Sequence, residues 1–271
     1  MLSATAGAAR LHCEIRGSGP GLVFVPGGLV DSAHFAELAT LLADGFTTVS
    51  YDRRGSAGSP RPPSWHATSI GEQADDLAAV IEDLGLAPCA VWGGSLGGIV
   101  LLELLARRPG LVRAAIVQEP PLFTVLPGGE AVAGRLGAAA AAAVRDGSTA
   151  AAFEEHARTA LGATYDLVPT HLRERMAANA ELFFGIEVPA LLRSMPSPDD
   201  IRRTLARAAV TVHCLASVED PQSPPHRATR WLADELGIGL TTIPGGHMPY
   251  VTEPAVTAAT VRELLTTRER P

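Results

Sequence analysis

Residues 90–105 read AVWGGSLGGIVLLELL, and the serine at position 95 lies in the five-residue stretch Gly93-Gly94-Ser95-Leu96-Gly97. The apolar residues before Ser95 are typical of a buried strand, and the aliphatic run after it is typical of a helix. A sharp turn between them would expose the Ser95 hydroxyl, and the glycines would let the two backbones pass closely. The stretch therefore predicts nucleophilic acyl transfer at Ser95, with an ordinary glycine-rich turn as the alternative.

The composition limits the class of protein. Of the 271 residues, 46% are hydrophobic and 19% are charged, which is enough apolar surface for a large core. The net charge is -7 and the sequence has no basic block, so we expect no nucleic-acid partner. Its apolar runs are too short for a membrane span, and its beginning does not resemble a signal peptide. These features predict a soluble cytoplasmic protein with a small-molecule substrate, and they leave a homodimer open.

Several kinds of chemistry are excluded by residue type. The sequence contains no lysine, which excludes a Schiff-base lysine, a P-loop lysine and a Ser–Lys dyad. Its three cysteines, Cys13, Cys89 and Cys214, lie far apart in strand-like segments. We interpret them as buried free thiols rather than as nucleophiles or metal ligands. We predict no cofactor and no metal site.

Strand and helix patterns alternate along the chain, with one interruption. Strands are predicted at residues 10–16, 22–25, 46–51, 90–92, 112–117, 210–215 and 240–243. This alternation predicts a mainly parallel sheet with helices on both faces. Residues 122–207 instead show helices and loops. We interpret them as a helical cap inserted into a core of residues 1–121 and 208–271, above the sheet edge where ligands bind.

A serine nucleophile needs a base, and His247 is the best placed of the eight histidines. It lies in the stretch GGHMPY at residues 245–250, after a predicted strand and before the last helix. In a parallel sheet, that loop lies at the same edge as Ser95. The order of nucleophile, acid and histidine along the chain also agrees with a hydrolytic triad.

Two carboxylates compete to orient His247. Asp220 follows the predicted strand at 210–215, which is the usual place for the acid in this chain order. Glu119 ends the strand next to the Ser95 strand, and its longer side chain could reach the same imidazole nitrogen. Either residue could instead be structural, Glu119 as a solvated strand end and Asp220 as a turn residue.

The oxyanion of an acyl-transfer reaction needs preformed N–H donors. We expect one to be the backbone N–H of Leu96, the residue after the nucleophile. The other should come from the loop Pro26-Gly27-Gly28-Leu29, hereafter the glycine loop, and we select Gly28. A plain strand-to-helix turn would explain the two glycines equally well.

Four stretches together resemble the α/β-hydrolase family: VPGG at 25–28, YDRRG at 51–55, GGSLG at 93–97 and GGHMP at 245–249. The resemblance implies a mainly parallel eight-stranded sheet, with the nucleophile at Ser95 and the base at His247. A serine at this position speaks against the haloalkane dehalogenase and epoxide hydrolase branches. Many members carry histidine where this chain has Pro26.

A closer resemblance is to the zearalenone lactone hydrolases, through VFVP at 23–26, VWG at 91–93, QEP at 118–120 and PGGHMPYV at 244–251. In that branch the acid is a glutamate that matches Glu119. Because this chain also keeps Asp220, both assignments stay open, and we favour Glu119.

These observations predict a cofactor-free serine hydrolase that cleaves an ester or lactone of a small, largely apolar molecule. The alternatives are a carbon–carbon bond hydrolase or thioesterase with the same triad, or a ligand-binding member of the fold without activity. Apolar residues of the cap and of the histidine loop are expected to form the pocket wall. They are Leu126, Phe183, Phe184, Leu191, Leu192, Met195 and Met248.

Overall fold

A computed structural model describes residues 2–6 and 9–266. Within these residues one sheet contains eight strands: β1 (Leu2–Ala6), β2 (Ala9–Arg16), β3 (Gly21–Val25), β4 (Thr47–Tyr51), β5 (Cys89–Gly94), β6 (Val112–Gln118), β7 (Thr211–Ser217) and β8 (Leu240–Ile243). Their order across the sheet is β1-β2-β4-β3-β5-β6-β7-β8. Strand β2 pairs antiparallel with β1 and β4, and the other neighbours pair in parallel. The predicted mainly parallel eight-stranded sheet is confirmed.

Strand β1 is the one strand of this sheet for which the sequence carried no signal. Its sequence, LSATA, contains a single large apolar residue and no β-branched run. It is held by its partner, because Ser3 and Ala4 stand opposite His12 and Leu11 of β2. An edge strand built from small residues is therefore defined by pairing rather than by its own hydrophobic pattern.

The helical elements in the described part of the chain fall into three groups. Before residue 122 they are α1 (Ala36–Leu42), α2 (Ile70–Asp83) and α3 (Leu96–Arg107), with 3₁₀ turns at Ser32–Phe35 and Pro109–Leu111. Residues 122–207 contain α4 (Gly129–Arg145), α5 (Thr149–Leu161), α6 (Thr170–Ala178), α7 (Ala180–Leu182), α8 (Val188–Arg193) and α9 (Pro198–Ala208), with 3₁₀ turns at Phe123–Val125 and Gly162–Leu167 and a π-helical turn at Phe183–Glu187. After residue 207 come α10 (Pro224–Leu236), α11 (Pro249–Thr252) and α12 (Pro254–Thr266). Over residues 2–6 and 9–266, none of these helices has the length and apolarity needed to cross a bilayer.

Serine side chains define where three of these helices begin. The hydroxyls of Ser69, Ser197 and Ser223 accept backbone N–H groups in the first turns of α2, α9 and α10, at 3.0, 3.2 and 3.4 Å. Helices α9 and α10 also carry proline in the first turn, where its missing N–H costs nothing.

The sheet is covered on both faces, as predicted. Successive residues of β3 point to opposite sides, so Val23 and Val25 join one buried cluster while Leu22 and Phe24 join another. Helices α2, α3 and α10 contribute to the first cluster, and α1 and α12 contribute to the second. Because both faces are buried, the central strands β3 and β5 are apolar throughout.

Residues 122–207, hereafter the helical segment, connect β6 to β7 and contain no strand among these described residues. Phe153 and Phe183 of the helical segment belong to the buried cluster that contains Phe24, whereas Leu191 and Ile201 belong to the cluster of the other face. The helical segment thus packs closely on the core. That residues 122–207 are a separate cap domain stays a prediction.

Candidate active site

Ser95 lies between β5 and α3 with backbone angles of φ 51° and ψ −125°. A residue other than glycine rarely adopts a positive φ, and holding it there costs about 1–3 kcal/mol. The surrounding structure provides the restraint, since the Ser95 N–H donates to the carbonyl of Gln118 at 2.8 Å. The turn has the strained geometry in which a serine hydroxyl is presented at the edge of a sheet.

Close backbone contacts explain the glycines around this turn. A Cβ atom added to Gly93 would lie 2.5 Å from the carbonyl oxygen of Gly97. A Cβ atom added to Gly97 would lie 2.2 Å from the carbonyl oxygen of Val25 in β3. Both distances are far below van der Waals contact, so only glycine allows β3, β5 and α3 to approach this closely.

Replacing Gly97 with alanine is therefore expected to destabilise the protein. The new methyl group would press on a rigid backbone oxygen, so we expect the free energy of unfolding to fall by at least about 1–3 kcal/mol. Gly134 in α4 is the matched control, because a Cβ atom there meets no atom within 4 Å. Gly134→Ala should raise the free energy by about 0.5–1 kcal/mol. Urea denaturation measures both, and equal midpoints for the two variants would contradict the packing argument.

Glu119 follows β6 directly and contacts His247. Its Oε2 lies 2.5 Å from Nδ1 of His247, and its Oε1 accepts the backbone N–H of Ser217 at 2.9 Å. Like Ser95, Glu119 has a positive φ, of 45°, which turns its side chain along the sheet edge. The side chain of Glu119 is 4% exposed and that of His247 is 16% exposed.

The charge state of Glu119 follows from these contacts. Burial raises the pKa of this carboxyl, but the hydrogen bonds and charge of His247 and the N–H of Ser217 outweigh burial. The pKa of Glu119 is thereby held below its usual range, so the group is an anion at neutral pH. An ionised carboxylate only accepts hydrogen bonds, so Nδ1 of His247 is the donor in this contact, and Nε2 is the ring nitrogen that points away from Glu119.

Asp220, the other candidate acid, lies on the surface. It is exposed, and its backbone carbonyl accepts N–H and O–H donors of Ser223. In the described part of the chain, His247 Nδ1 contacts Glu119 rather than Asp220. The structure thus brings one of the two predicted carboxylates to the histidine.

Glu219 has a position that sequence reasoning missed. Its carboxylate accepts the backbone N–H groups of Gly245 and Gly246 at 2.8 and 3.1 Å, and it accepts the hydroxyl of Ser217. It therefore anchors the loop that carries His247. The one signal in the sequence was the position of Glu219 just after β7, because β7 pairs with β8 and β8 leads to Gly245 and Gly246.

Gln118 joins the serine turn to the histidine loop. Its backbone carbonyl accepts the N–H of Ser95, and its Nε2 donates to the carbonyl of His247 at 3.1 Å. Among the described residues, no hydrogen bond joins the Ser95 hydroxyl to the His247 ring. The two candidate residues thus share one sheet edge through Gln118, without the direct bond that a triad forms during reaction.

The glycine loop follows β3 and lies against Ser95. A Cβ atom added to Gly27 would lie 3.2 Å from Cβ of Ser95 and 3.8 Å from its Oγ. The backbone N–H groups of Gly28 and Leu96 have no acceptor among the hydrogen bonds of the described residues. The glycine loop and the start of α3, the two predicted sources of oxyanion donors, thus both adjoin Ser95.

An aromatic wall from the helical segment covers the glycine loop. A Cβ atom added to Gly28 would lie 2.2 Å from the Phe183 ring, so that ring rests directly on Gly28. Phe184 contacts Phe183 with ring centroids 5.0 Å apart, and the His156 ring lies 5.1 and 5.9 Å from the two. Burial, with a smaller contribution from the charge of His247, lowers the pKa of His156 to about 4. His156, for which the sequence suggested no role, is thus a neutral group in this wall.

The other predicted wall residues are divided between the two faces of the sheet. Met195 lines a groove of about 440 Å³ with residues of α3 and α9, among them Ile99 and Ile201. Leu126, Leu191 and Met195 all pack in the buried cluster that contains α3, on the face opposite Phe24. Leu192 and Met248 pack in the cluster of the Phe24 face, together with Phe183 and Phe184.

Comparison with known proteins agrees with this architecture. The model of the Alpha/beta hydrolase family matches residues 22–260. The uncharacterized hydrolase YraK of Bacillus subtilis is 25% identical over 242 residues, which are 89% of this chain and 87% of that protein. The zearalenone hydrolase of Cladophialophora bantiana is 27% identical over 267 residues, which are 95% and 92% of the two chains. The solved enol-lactonase of Burkholderia xenovorans LB400 superimposes with a TM-score of 0.81 at 18% identity, over 98% of this chain and all of that one.

The family match spans most of the chain, so the protein belongs to the alpha/beta hydrolase family. The resemblance that the sequence motifs indicated is confirmed, and the protein is an enzyme of the hydrolase class. The likeness to the enol-lactonase structure shows the shared fold.

Proposed function

We propose that this hydrolase cleaves a carboxylic ester or lactone of a small, largely apolar molecule through an acyl-enzyme on Ser95. The observation that carries the proposal is the contact between Glu119 and Nδ1 of His247 at 2.5 Å, at the sheet edge where Ser95 occupies a strained turn. An anionic carboxylate behind a histidine beside a presented serine is the arrangement that activates a hydroxyl.

The proposed reaction has two half-reactions. Nε2 of His247 takes the proton of the Ser95 hydroxyl as Oγ bonds to the substrate carbonyl carbon. The N–H groups of Gly28 and Leu96 hold the resulting oxyanion. His247 then gives the proton to the leaving alkoxide, and the ester bond breaks. In the second half, His247 takes a proton from water, the hydroxide attacks the acyl-enzyme, and the acid leaves as Ser95 recovers its proton.

The wall of the site supports the proposed substrate class. Phe183 and Phe184 are buried aromatic side chains, and His156, whose ring contacts both, is neutral at neutral pH because its pKa is lowered to about 4. Such a wall favours an apolar, uncharged acyl or alcohol part. The names of two relatives, a zearalenone hydrolase and an enol-lactonase, support an ester or lactone bond as the target.

A graded substrate panel tests this function. Wild-type protein is given p-nitrophenyl esters of increasing acyl length, lactones of increasing ring size, thioesters and β-diketones, and acid release is followed by pH-stat. We expect turnover of esters or lactones, rising with apolar surface and falling when a carboxylate is added to the acyl chain. Cleavage of the diketones alone, or of none of these compounds, would contradict the proposal.

A further inference from the structure

Buried Arg53 forms a hydrogen bond with the peptide unit that carries the Gly28 N–H. Nη2 of Arg53 donates to the carbonyl oxygen of Gly27 at 2.8 Å, and the Arg53 side chain is 3% exposed. The carbonyl of Gly27 and the N–H of Gly28 belong to one peptide unit. In residues 2–6 and 9–266 the only cis peptide bond is Ala87–Pro88, so this unit is trans and planar. Its carbonyl and N–H therefore point in opposite directions. Because Arg53 holds the Gly27 carbonyl, the Gly28 N–H points away from Arg53.

This peptide unit needs an external restraint. It joins two glycines, and without Cβ atoms the backbone on either side has access to many conformations. A flip of the peptide plane by about 180° would point the Gly27 oxygen in the direction that the Gly28 N–H had pointed. A carbonyl oxygen would repel a developing oxyanion that an N–H would stabilise.

The helical segment holds Arg53 in place. Nη2 and Nη1 of Arg53 lie 2.9 and 2.5 Å from the two carboxylate oxygens of Glu187, and Nη1 also donates to Gln73 at 2.8 Å. Glu187 is 3% exposed, so both charges are buried and each requires the other. The planar guanidinium can serve these acceptors and the Gly27 carbonyl together, which a lysine ammonium could not do with the same geometry.

One turn of the helical segment reaches this peptide unit from two directions. Glu187 ends the π-helical turn Phe183–Glu187, and Phe183 at the start of the same turn rests on Gly28. Glu187 therefore acts on the Gly27 carbonyl through Arg53, while Phe183 packs against Gly28, the residue that carries the N–H. Single π-helical turns are rare in proteins, and those that occur are often found at functional sites.

We propose that Arg53 is a positioning residue that fixes the Gly27–Gly28 peptide with its N–H toward Ser95, and that Glu187 of the helical segment holds Arg53 for this purpose. The inference rests on the proposed function, because it concerns the oxyanion donor of that reaction. The helical segment thereby contributes to transition-state stabilisation as well as to the wall of the site.

The test compares an ester with the thionoester in which sulfur replaces the carbonyl oxygen. Sulfur is a poor hydrogen-bond acceptor, so a working oxyanion site makes the wild-type enzyme much faster on the ester. In Arg53→Met we expect kcat for the ester to fall on the order of 10²-fold, since one donor typically contributes ~10²–10³. The thionoester rate should change little, so the ester-to-thionoester ratio should fall by nearly the same factor with little change in KM.

A double variant guards against misfolding. Arg53→Met alone leaves the Glu187 charge buried and unpaired, whereas Arg53→Met with Glu187→Met replaces the ion pair with apolar side chains, which proteins often tolerate. Arg54→Met is the matched control, because Arg54 pairs with Asp76 and Glu72 instead of the glycine loop. We expect the ratio to fall in the double variant and to stay at the wild-type value in Arg54→Met.

Two results separate the inference from the proposed function. A folded double variant that keeps the wild-type ester-to-thionoester ratio overturns the role of Arg53 and leaves the proposed function standing. Wild-type protein that hydrolyses no ester or lactone overturns the proposed function, and the role of Arg53 falls with it.

Discussion

Alanine at Ser95 or at His247 is expected to lower kcat for the best ester substrate by about 10⁶-fold, and the double variant should be no slower than either single variant. The reason is that nucleophile and base act as a unit, so losing either one removes the whole covalent route. The residual rate would come from substrate binding and from the backbone donors of Gly28 and Leu96. Steady-state rates at saturating substrate, with enzyme in high concentration for the variants, give these numbers.

Two exposed residues of the same types serve as controls. Ser18 and His171 lie on the surface, and Ser18→Ala and His171→Ala should keep the wild-type rate. Losses at Ser95 and His247 that multiply in the double variant would mean that the two residues act independently. That result would contradict a shared covalent mechanism.

Glutamine at Glu119 is expected to lower kcat by about 10⁴-fold, while Asp220→Asn should leave it near the wild-type value. In the proposed mechanism the carboxylate of Glu119 accepts a hydrogen bond from the Nδ1–H of His247, which leaves Nε2 without a proton. A glutamine amide can instead donate to Nδ1, which places the proton on Nε2 and removes the base. The substitution also removes the negative charge that stabilises the histidine when it is protonated during reaction.

The two variants are matched, because each exchanges one carboxylate oxygen for an amide nitrogen. Rates are measured on the same ester over a range of pH, so that a shifted optimum is not mistaken for a lost acid. A wild-type rate for Glu119→Gln together with a large loss for Asp220→Asn would reverse the assignment. It would also require the histidine loop to adopt another arrangement, because Asp220 is exposed.

Local sequence patterns predicted the fold well because the spacing of apolar residues and of glycines depends on the local backbone conformation. The alternation of apolar strands and amphipathic helices predicted the parallel sheet, and the glycines beside Ser95 indicated the close contact of β5 and α3 that the structure shows. Strand β1 had no such pattern, since its small residues are held by pairing with β2. The sequence left Glu119 and Asp220 open because both follow neighbouring strands. The positive φ of Glu119 and the exposure of Asp220, which distinguish them, are properties of the folded chain.

Contacts between distant residues were beyond the reach of the sequence. Arg53 and Glu187 are 134 positions apart, and no periodicity links them. Within the YDRRG stretch at 51–55, Arg53 pairs with Glu187 of the helical segment and Arg54 pairs with Asp76 of α2. The same holds for the pocket wall, where the sequence could not distinguish Phe183, which rests on Gly28, from Met195, which packs beside α3.

Labelling with a fluorophosphonate tests the central claim, that Ser95 is an activated nucleophile, most directly. The reagent bonds covalently to serines that a neighbouring base activates, and mass spectrometry of the digested protein locates the adduct. We predict a single adduct on the peptide that contains Ser95, absent in Ser95→Ala and formed far more slowly in His247→Ala. Folded wild-type protein that carries no adduct at Ser95 would contradict the account.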